Sequence, residues 1–313
     1  MKVRFGVCAD LHTEFIHDAP ARVRAFLDAA EGAGCDFCVS LGDFCPPGGR
    51  GSDAHKREIL GMIANSPLPF YHALGNHDMD ENSKADVLSF IGQGKNYFSF
   101  DCGGVHFVLL DSCYFEDGTG DVRDYDHADY KRTPLGYHIS VLPEEELAWL
   151  REDLAKAEYP TVVFSHHSLI ESRASIGNCD ELREVMDSAP HGVLLSLCGH
   201  EHVDRVEEKD GVYYACVNSM AYYWAGGAYE HTTYGDEIEA AFPLLRQVFP
   251  WRDALFAIVE ITDGEIRVSG VSSEIVGATP EEMAFQKAGL CDPIVAEIAD
   301  RTLSFQIKAR QSS

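Results

Sequence analysis

Five short polar blocks constrain this chain more than any other feature, because each stands where an apolar β-type run ends. Asp10-Leu11-His12 follows the run 3–9, Gly42-Asp43 follows 37–41, and Gly75-Asn76-His77-Asp78 follows 70–74. Ser165-His166-His167 follows 161–164, and Gly199-His200-Glu201-His202 follows 193–198. Apolar runs this short, bounded by turn residues, read as buried strands. Amphipathic stretches lie between the early runs: 21–34, with Val23, Phe26, Leu27 and Ala30 on one face, and 55–64. Strand and helix alternate, so an α/β sheet with parallel strands is expected. In such sheets sites form in the crevice beyond the carboxyl ends of the strands. All five blocks fall there.

Taken singly, each block has a plain structural explanation. Asp10 would be a cap, His12 a surface polar residue, Asn76 a turn residue, and His200 and His202 alternating residues at a strand end. Five in order, each at a strand terminus, point jointly to a metal site. Mixed imidazole, carboxylate and amide donors suit Mn, Fe, Zn or Co better than Ca or Mg.

The remainder of the chain frames these blocks. Residues 97–101 and 105–110, joined through Cys102-Gly103-Gly104, read as a hairpin. A polar, tyrosine-rich stretch covers 114–138. Pro143 opens a helix over 144–157, with Leu147, Leu150 and Leu154 on one stripe. Asp180 caps another helix, and hairpin-like runs follow at 212–217, 255–261 and 265–271. Helical stretches are expected after Thr279-Pro280 and Asp292-Pro293, giving a main domain over 1–275 and a helical extension with a tail over 276–313.

Composition excludes several classes. The 313 residues hold 25 Lys and Arg against 51 Asp and Glu, a net charge of −26. That field repels a polyanionic strand, so no extended nucleic-acid partner is expected. A small anionic substrate needs a local positive centre, which metal ions provide. No run approaches the ~20 apolar residues of a membrane span, and no signal-peptide pattern opens the chain. The ten cysteines are scattered; the lone Cys35-x-x-Cys38 lacks a second pair, and buried structural thiols in a reducing cytoplasm are expected.

The ordered set D-x-H, G-D, G-N-H-[DE], H and G-H-x-H, met here from Asp10 to His202, resembles the calcineurin-like metallophosphoesterase family. The resemblance implies an α/β fold of two mixed β-sheets packed as a sandwich and flanked by helices, in four α/β/β/α layers. It implies two divalent or mixed-valence metal ions at the rim. Asp10, His12, Asp43 and His202 would hold the first; Asp43, Asn76, His166 and His200 would hold the second, with Asp43 bridging. His77 would give a proton to the leaving group, and His167 would face the phosphate or support a ligand. Two divalent ions, less two carboxylates and a bridging hydroxide, leave a net +1 to receive a phosphate ester inside an acidic protein.

The chain also departs from the family. Pro46 stands where the protein-phosphatase branch has an Asp and the purple acid phosphatases a Tyr, and Gly48-Gly49-Arg50 does not match Arg-Gly. The acid that orients His77 is then open, with Asp78 and Asp53 as the candidates. Ser168-Leu169 replaces the usual Pro after the paired histidines. For substrate, the aromatics of 220–251, Tyr222, Tyr223, Trp224, Tyr229, His231 and Tyr234, fit a stacked base, or alternatively a loop core or a dimer surface. The leading expectation is a phosphodiesterase on small molecules such as nucleotides or cyclic nucleotides. A phosphomonoesterase, a nucleotide pyrophosphatase, a nuclease and a non-catalytic scaffold are the alternatives. Arg50 and Arg173 stand near the blocks in sequence, and neither occupies a family phosphate position.

Overall fold

The computed structural model describes residues 1–48, 51–132, 139–172, 174–286 and 292–307; Arg50, Arg173 and the 133–138 part of the polar stretch lie outside them. In chain order the strands are β1 (Lys2–Cys8), β2 (Phe37–Ser40), β3 (Phe70–His72), β4 (Phe98–Cys102), β5 (Val105–Leu109), β6 (Tyr114–Glu116), β7 (Val122–Asp124), β8 (Thr161–Phe164), β9 (Val193–Cys198), β10 (Arg205–Lys209), β11 (Val212–Cys216), β12 (Tyr222–Trp224), β13 (Val248–Pro250), β14 (Ala257–Thr262), β15 (Glu265–Gly270) and β16 (Arg301–Ser304). The α-helices are α1 (Ala19–Gly32), α2 (Asp53–Asn65), α3 (Lys84–Ile91), α4 (Glu144–Lys156), α5 (Cys179–Asp187) and α6 (Asp236–Ala241).

Two six-stranded sheets carry the architecture, in the orders β16-β15-β14-β1-β2-β3 and β10-β11-β9-β8-β5-β4. Both are mixed. β1, β2 and β3 run parallel, as do β5, β8, β9 and β11, while antiparallel strands complete the edges. β2, β5, β8 and β9 are buried along their whole length, because each sheet is covered on both faces. Alternation then decides which core each side chain joins. Phe5, Val7, Phe37 and Val39 face the opposite sheet, where Phe107 and Phe164 meet them. Cys8 and Cys38 point the other way, under Phe26 of α1 and Ile59 of α2. On the far side α4 and α5 cover the second sheet through Leu147, Leu150, Leu154, Leu182 and Val185. The four expected layers are present.

Local signals place the helices. Pro20 in the first turn and Gly34 (φ 69°) just beyond the end bound α1. α3 has a capping box of Ser83 and Asp86 and a left-handed Gly92 at its end; the reading above overlooked it, although the sequence carried both signals. The described cysteines are free thiols, and all but Cys102 are buried. Among the described residues no helix is long and apolar enough to cross a membrane.

The carboxyl-terminal expectation needs correction. Residues 279–286 form turns and 292–300 run irregularly, so neither predicted helix forms among the described residues. Thr279 and Glu282 do make the reciprocal capping bonds, but Ala284 takes a left-handed conformation (φ 48°) and Phe285 packs onto Phe249. Farther on, Ala296 and Ile298 enter the inter-sheet core, and β16 supplies the hydrogen-bonding partner that β15 lacks. Tertiary pairing overrides local propensity there, and the segment beyond 276 is woven into the first sheet.

One ionic clamp ties α4 to the second sheet. The His106 ring bonds Asp101 through Nδ1 (2.7 Å) and Asp153 of α4 through Nε2 (2.8 Å), which requires the doubly protonated ring. Burial opposes that charge, but the two carboxylates prevail and hold its pKa above the ordinary histidine value. A raised folded pKa stabilises below the unfolded value near 6.5 and the contribution is lost as pH rises through the folded value. His106→Gln should therefore cost about 1 kcal/mol at pH 6 and progressively less toward pH 9. Thermal midpoints of both proteins across that range test this, and a deficit independent of pH would contradict it.

Candidate metal centre

β1, β2 and β3 end on one side of the seam between the sheets, and β8 and β9 on the other. Backbone bonds join the loops that follow. The Asp10 N–H donates to the Gly42 carbonyl (3.1 Å), the His12 N–H to the Asp43 carbonyl (3.0 Å), and the Gly199 N–H to the His166 carbonyl (3.1 Å). The His200 N–H crosses the seam to the Asp10 carboxylate (2.9 Å). Nine described non-glycine residues have positive φ, and five of them are Asp10, His12, Asp43, His200 and His202. Such strain concentrates at functional sites. The neighbouring glycines are obligatory for space: a methyl at Gly75 would overlap the Asp43 backbone and carboxylate, and one at Gly199 would lie 2.6 Å from Asp10 Oδ2.

The seven predicted ligand residues are brought together. Donor atoms of Asp10, His12 and His202 fall within 4.8 Å of one another, as do those of Asp10, Asp43 and His166, and of His166, His167 and His200. Asp43 Oδ2 lies 3.6 Å from His12 Nε2 and 3.3 Å from His166 Nε2, so one oxygen faces both groups. His202 Nε2 is 3.5 Å from Asp10 Oδ1. Asn76 Oδ1 and His200 Nδ1 each stand 3.1 Å from His166 Nε2. Donors about 2.1 Å from one ion and at right angles to each other are about 3.0 Å apart.

The other ring nitrogens are already engaged. His12 Nδ1 meets Glu14 Oε1 (2.9 Å), His166 Nδ1 meets the Leu41 carbonyl (2.8 Å), and His202 Nδ1 meets the Tyr222 carbonyl (2.9 Å). This aims each Nε2 inward, as in ligated histidines. The electrostatics ask for a cation. Burial opposes charge on His12, yet Glu14, Asp43 and Asp10 push it up to about 9. His166 is likewise buried and is pushed up to about 10 by Asp43 and Asp10. Burial, with His167 and His166 beside it, holds His200 well below the histidine range. Glu14, Asp43 and Asp10 thus draw protons onto two rings, and divalent ions would supply that charge instead. The donor set fits them.

Asp78 and Asp53 do not orient His77. The Asp78 carboxylate accepts the N–H groups of Asp43 (3.1 Å), Phe44 (3.1 Å) and Gly75 (2.9 Å), locking the second and third loops together. Asp53 is exposed in the first turn of α2. The partner is Asp80, whose Oδ2 lies 2.8 Å from His77 Nδ1. Three residues apart across one 3-10 turn, the pair was accessible to a spacing argument. Asp80 Oδ1 also accepts from Tyr130 Oη (2.8 Å) and Lys131 Nζ (2.6 Å), and Tyr130 Oη accepts from Asn76 Nδ2 (3.2 Å). His167 sits deeper, with Nδ1 2.9 Å from Ser112 Oγ and its ring 4.4 Å from that of His200.

The aromatic stretch divides. Tyr222 and Tyr223 are each 1% exposed, and Tyr229, His231 and Tyr234 pack on Phe285, Phe249 and His17. Trp224 alone among these six is an exposed large side chain, at 37%. Phe15, which sequence reasoning passed over, meets the rings of His12 (5.3 Å), His77 (6.3 Å) and Trp224 (5.5 Å). A cavity of about 620 Å³ opens over His12, Asp43, His77, His200 and His202, with Trp224 and Phe15 in its lining. Arg205 also lines it, held by Glu201 (3.0 Å), Glu207 (3.2 Å) and Asp292 (2.8 Å).

Asp78 acts on the centre through the loops it holds. An amide in its place offers a single acceptor oxygen and cannot take all three N–H bonds. Asp78→Asn is expected to weaken metal binding by ~10–100-fold, the usual effect of removing a supporting group. Titration of the metal-free protein with Mn reads this directly, and unchanged affinity would remove Asp78 from the account.

Comparison with known proteins agrees with this geometry. The model of the calcineurin-like phosphoesterase family matches residues 3–204, which hold all five blocks. A curated relative from Fibrobacter succinogenes, described as a probable cyclic nucleotide phosphodiesterase, is 24% identical over 176 residues, 53% of this chain. The match spans 57% of that relative's length. The fold is shared with a dimetal phosphatase from Danio rerio (TM-score 0.63, 16% identity, covering 88% of this chain and 98% of that one). It is also shared with GAP50 of Plasmodium, an anchor in the inner membrane complex (TM-score 0.56, 15% identity, 97% and 89% covered). With five loops converging in the family's order on one rim, and the family model spanning the three parallel strands of the first sheet and β4, β5, β8 and β9 of the second, the chain belongs to the calcineurin-like phosphoesterases.

Proposed function

We propose that the chain is a metal-dependent phosphodiesterase acting on small phosphate esters, with nucleotides or cyclic nucleotides as its leading substrates. The observation that carries this reading is Asp43: its Oδ2 faces two groups of donors, while its Oδ1 accepts the His77 N–H (2.6 Å). Asp10, His12, Asp43 and His202 would hold one ion, and Asp43, Asn76, His166 and His200 the other, with Mn, Fe or Zn the fitting metals. Bound there, the ions supply Lewis-acid charge and lower the pKa of water.

The chain's own residues do the rest. His77, held by Asp80 through Nδ1, uses Nε2 to give a proton to the departing oxygen. Phe15 packs edge-on beside the His77 ring, 6.3 Å between ring centres. Charge sets the substrate class. A diester carries one negative charge, which a net +1 centre balances, whereas a dianionic monoester needs a further cation. Arg205 lines the cavity, but its guanidinium is engaged by three carboxylates. The probable cyclic nucleotide phosphodiesterase among the relatives supports the diester reading, and the net charge of −26 argues against a nucleic-acid strand.

The Mn-loaded protein is expected to hold two ions per chain and to hydrolyse bis-nitrophenyl phosphate with kcat/KM at least about tenfold above nitrophenyl phosphate. Efficient monoester turnover with negligible diester turnover would overturn the assignment. His77→Ala should keep both ions and lose ~10²–10⁴ in turnover of esters with poor leaving groups. The loss should shrink for nitrophenolate, which needs no proton. Equal losses for both would make His77 a binding residue.

A further inference from the structure

A second cavity, of about 410 Å³, adjoins the first and meets it at two residues, His77 and Phe15. The two linings differ in chemistry. The larger contains the donor cluster and Trp224, whose exposed ring offers a face for stacking. The smaller contains Asp80, Lys131, Asn82 and the Pro46-Pro47 pair. Pro46 is the position at which the sequence departs from its family, so that departure now forms part of a wall. His77 and Asp80 both line the smaller cavity, and Asp80 does not reach the larger one.

We propose, resting on the phosphodiesterase reading and narrowing it from cyclic to open-chain esters, that the substrate is a diester with two organic arms seated in separate cavities. The retained arm, flat and aromatic like a nucleoside, lies in the larger cavity against Trp224. The departing arm, a short polar alcohol, lies in the smaller cavity beside His77, Asp80 and Lys131. In the reaction a water loses one proton to solvent, from which His77 is later reprotonated, and its oxygen bonds to phosphorus as the bond to the departing oxygen breaks. That oxygen takes a proton from His77 and leaves as the alcohol, and the retained arm leaves as a phosphomonoester. A monoester fills one cavity only. The engaged Arg205 gives the larger cavity no free clamp for a second phosphate, so the retained arm is uncharged.

Two esters sharing a departing arm separate the cavities: thymidine 5′-(4-nitrophenyl phosphate) and ethyl 4-nitrophenyl phosphate. Trp224→Ala is expected to lower the thymidine-over-ethyl preference in kcat/KM about tenfold, the scale of one lost base stack. Pro47→Phe, which fills the smaller cavity, should lower kcat/KM for both esters tenfold or more. Its Kd for thymidine 5′-phosphate, measured by calorimetry on the metal-loaded protein, should change less than twofold, while Trp224→Ala weakens that binding about tenfold. An unchanged ester preference in Trp224→Ala, or a Pro47→Phe effect as large on thymidine 5′-phosphate as on the esters, would overturn the two-arm assignment. If wild-type protein turns over neither ester, the phosphodiesterase reading fails, and the calorimetry still decides whether Trp224 holds a base.

Discussion

Asp10 and Asp43 are buried carboxylates standing 0% and 2% exposed at the rim of the sandwich. Burying two like charges costs several kcal/mol each unless they are paired and hydrogen-bonded. The surrounding structure supplies both. Backbone N–H groups of His200 and His77 donate to them, and His12, His166 and His202 crowd their free oxygens. Five residues of this cluster hold left-handed backbone, a conformation that costs about 1–3 kcal/mol each where the side chain is not glycine. Such an arrangement persists only if a large, well-packed fold over-determines it.

The sandwich is that fold. Its parallel strands are buried on both faces, so a shift in register would move Phe5, Phe37, Phe107 and Phe164 out of the inter-sheet core. Fixed register in each sheet fixes where each strand ends, and the loop after that end inherits the precision. The crossing bond from His200 to Asp10 then couples the sheets at the point where the donors meet. Asp78 performs the same task within the first sheet by collecting three N–H groups from two loops. The centre is rigid because it is built from element ends.

Around this common centre the chain has made its own arrangements. The acid behind His77 comes from Asp80, one turn farther along, and is itself fixed by Tyr130 and Lys131 from the polar stretch. Lys84 anchors that stretch from below, through Asp124 (2.5 Å) and Asp111 (2.6 Å). A second cluster of four carboxylates, Glu171, Glu201, Glu207 and Asp292, lines the mouth together with Arg205. The acidity of the chain therefore extends to its entrance, where it disfavours strongly anionic ligands.

The strand ends and the five polar blocks were legible in the sequence because both are local facts, while the choice of seven donors within the blocks was implied by the family resemblance. An apolar run identifies a buried strand, and a polar block beside glycine identifies its end. The apolar helix faces followed from periodicity, whereas the packing of two sheets as a sandwich was implied by the family resemblance. Other features depended on contacts between distant segments. The helices expected after Thr279 and Asp292 gave way to β16 because an unpaired edge of β15 offered more hydrogen bonds than an isolated turn of helix. Tyr222 and Tyr223 became core, and Tyr234 packs at its edge, because the loops of 220–251 fold back over the body of the protein. Arg205 stands three residues after His202, but that its guanidinium is engaged by Asp292, 87 residues away, depended on the fold. By itself the sequence determined which residues could bind a metal and on which strand ends they stand. Only the tertiary structure decided which rings face inward, which acid holds His77, and how the space beside it is divided, since these depend on directions that one-dimensional spacing does not contain.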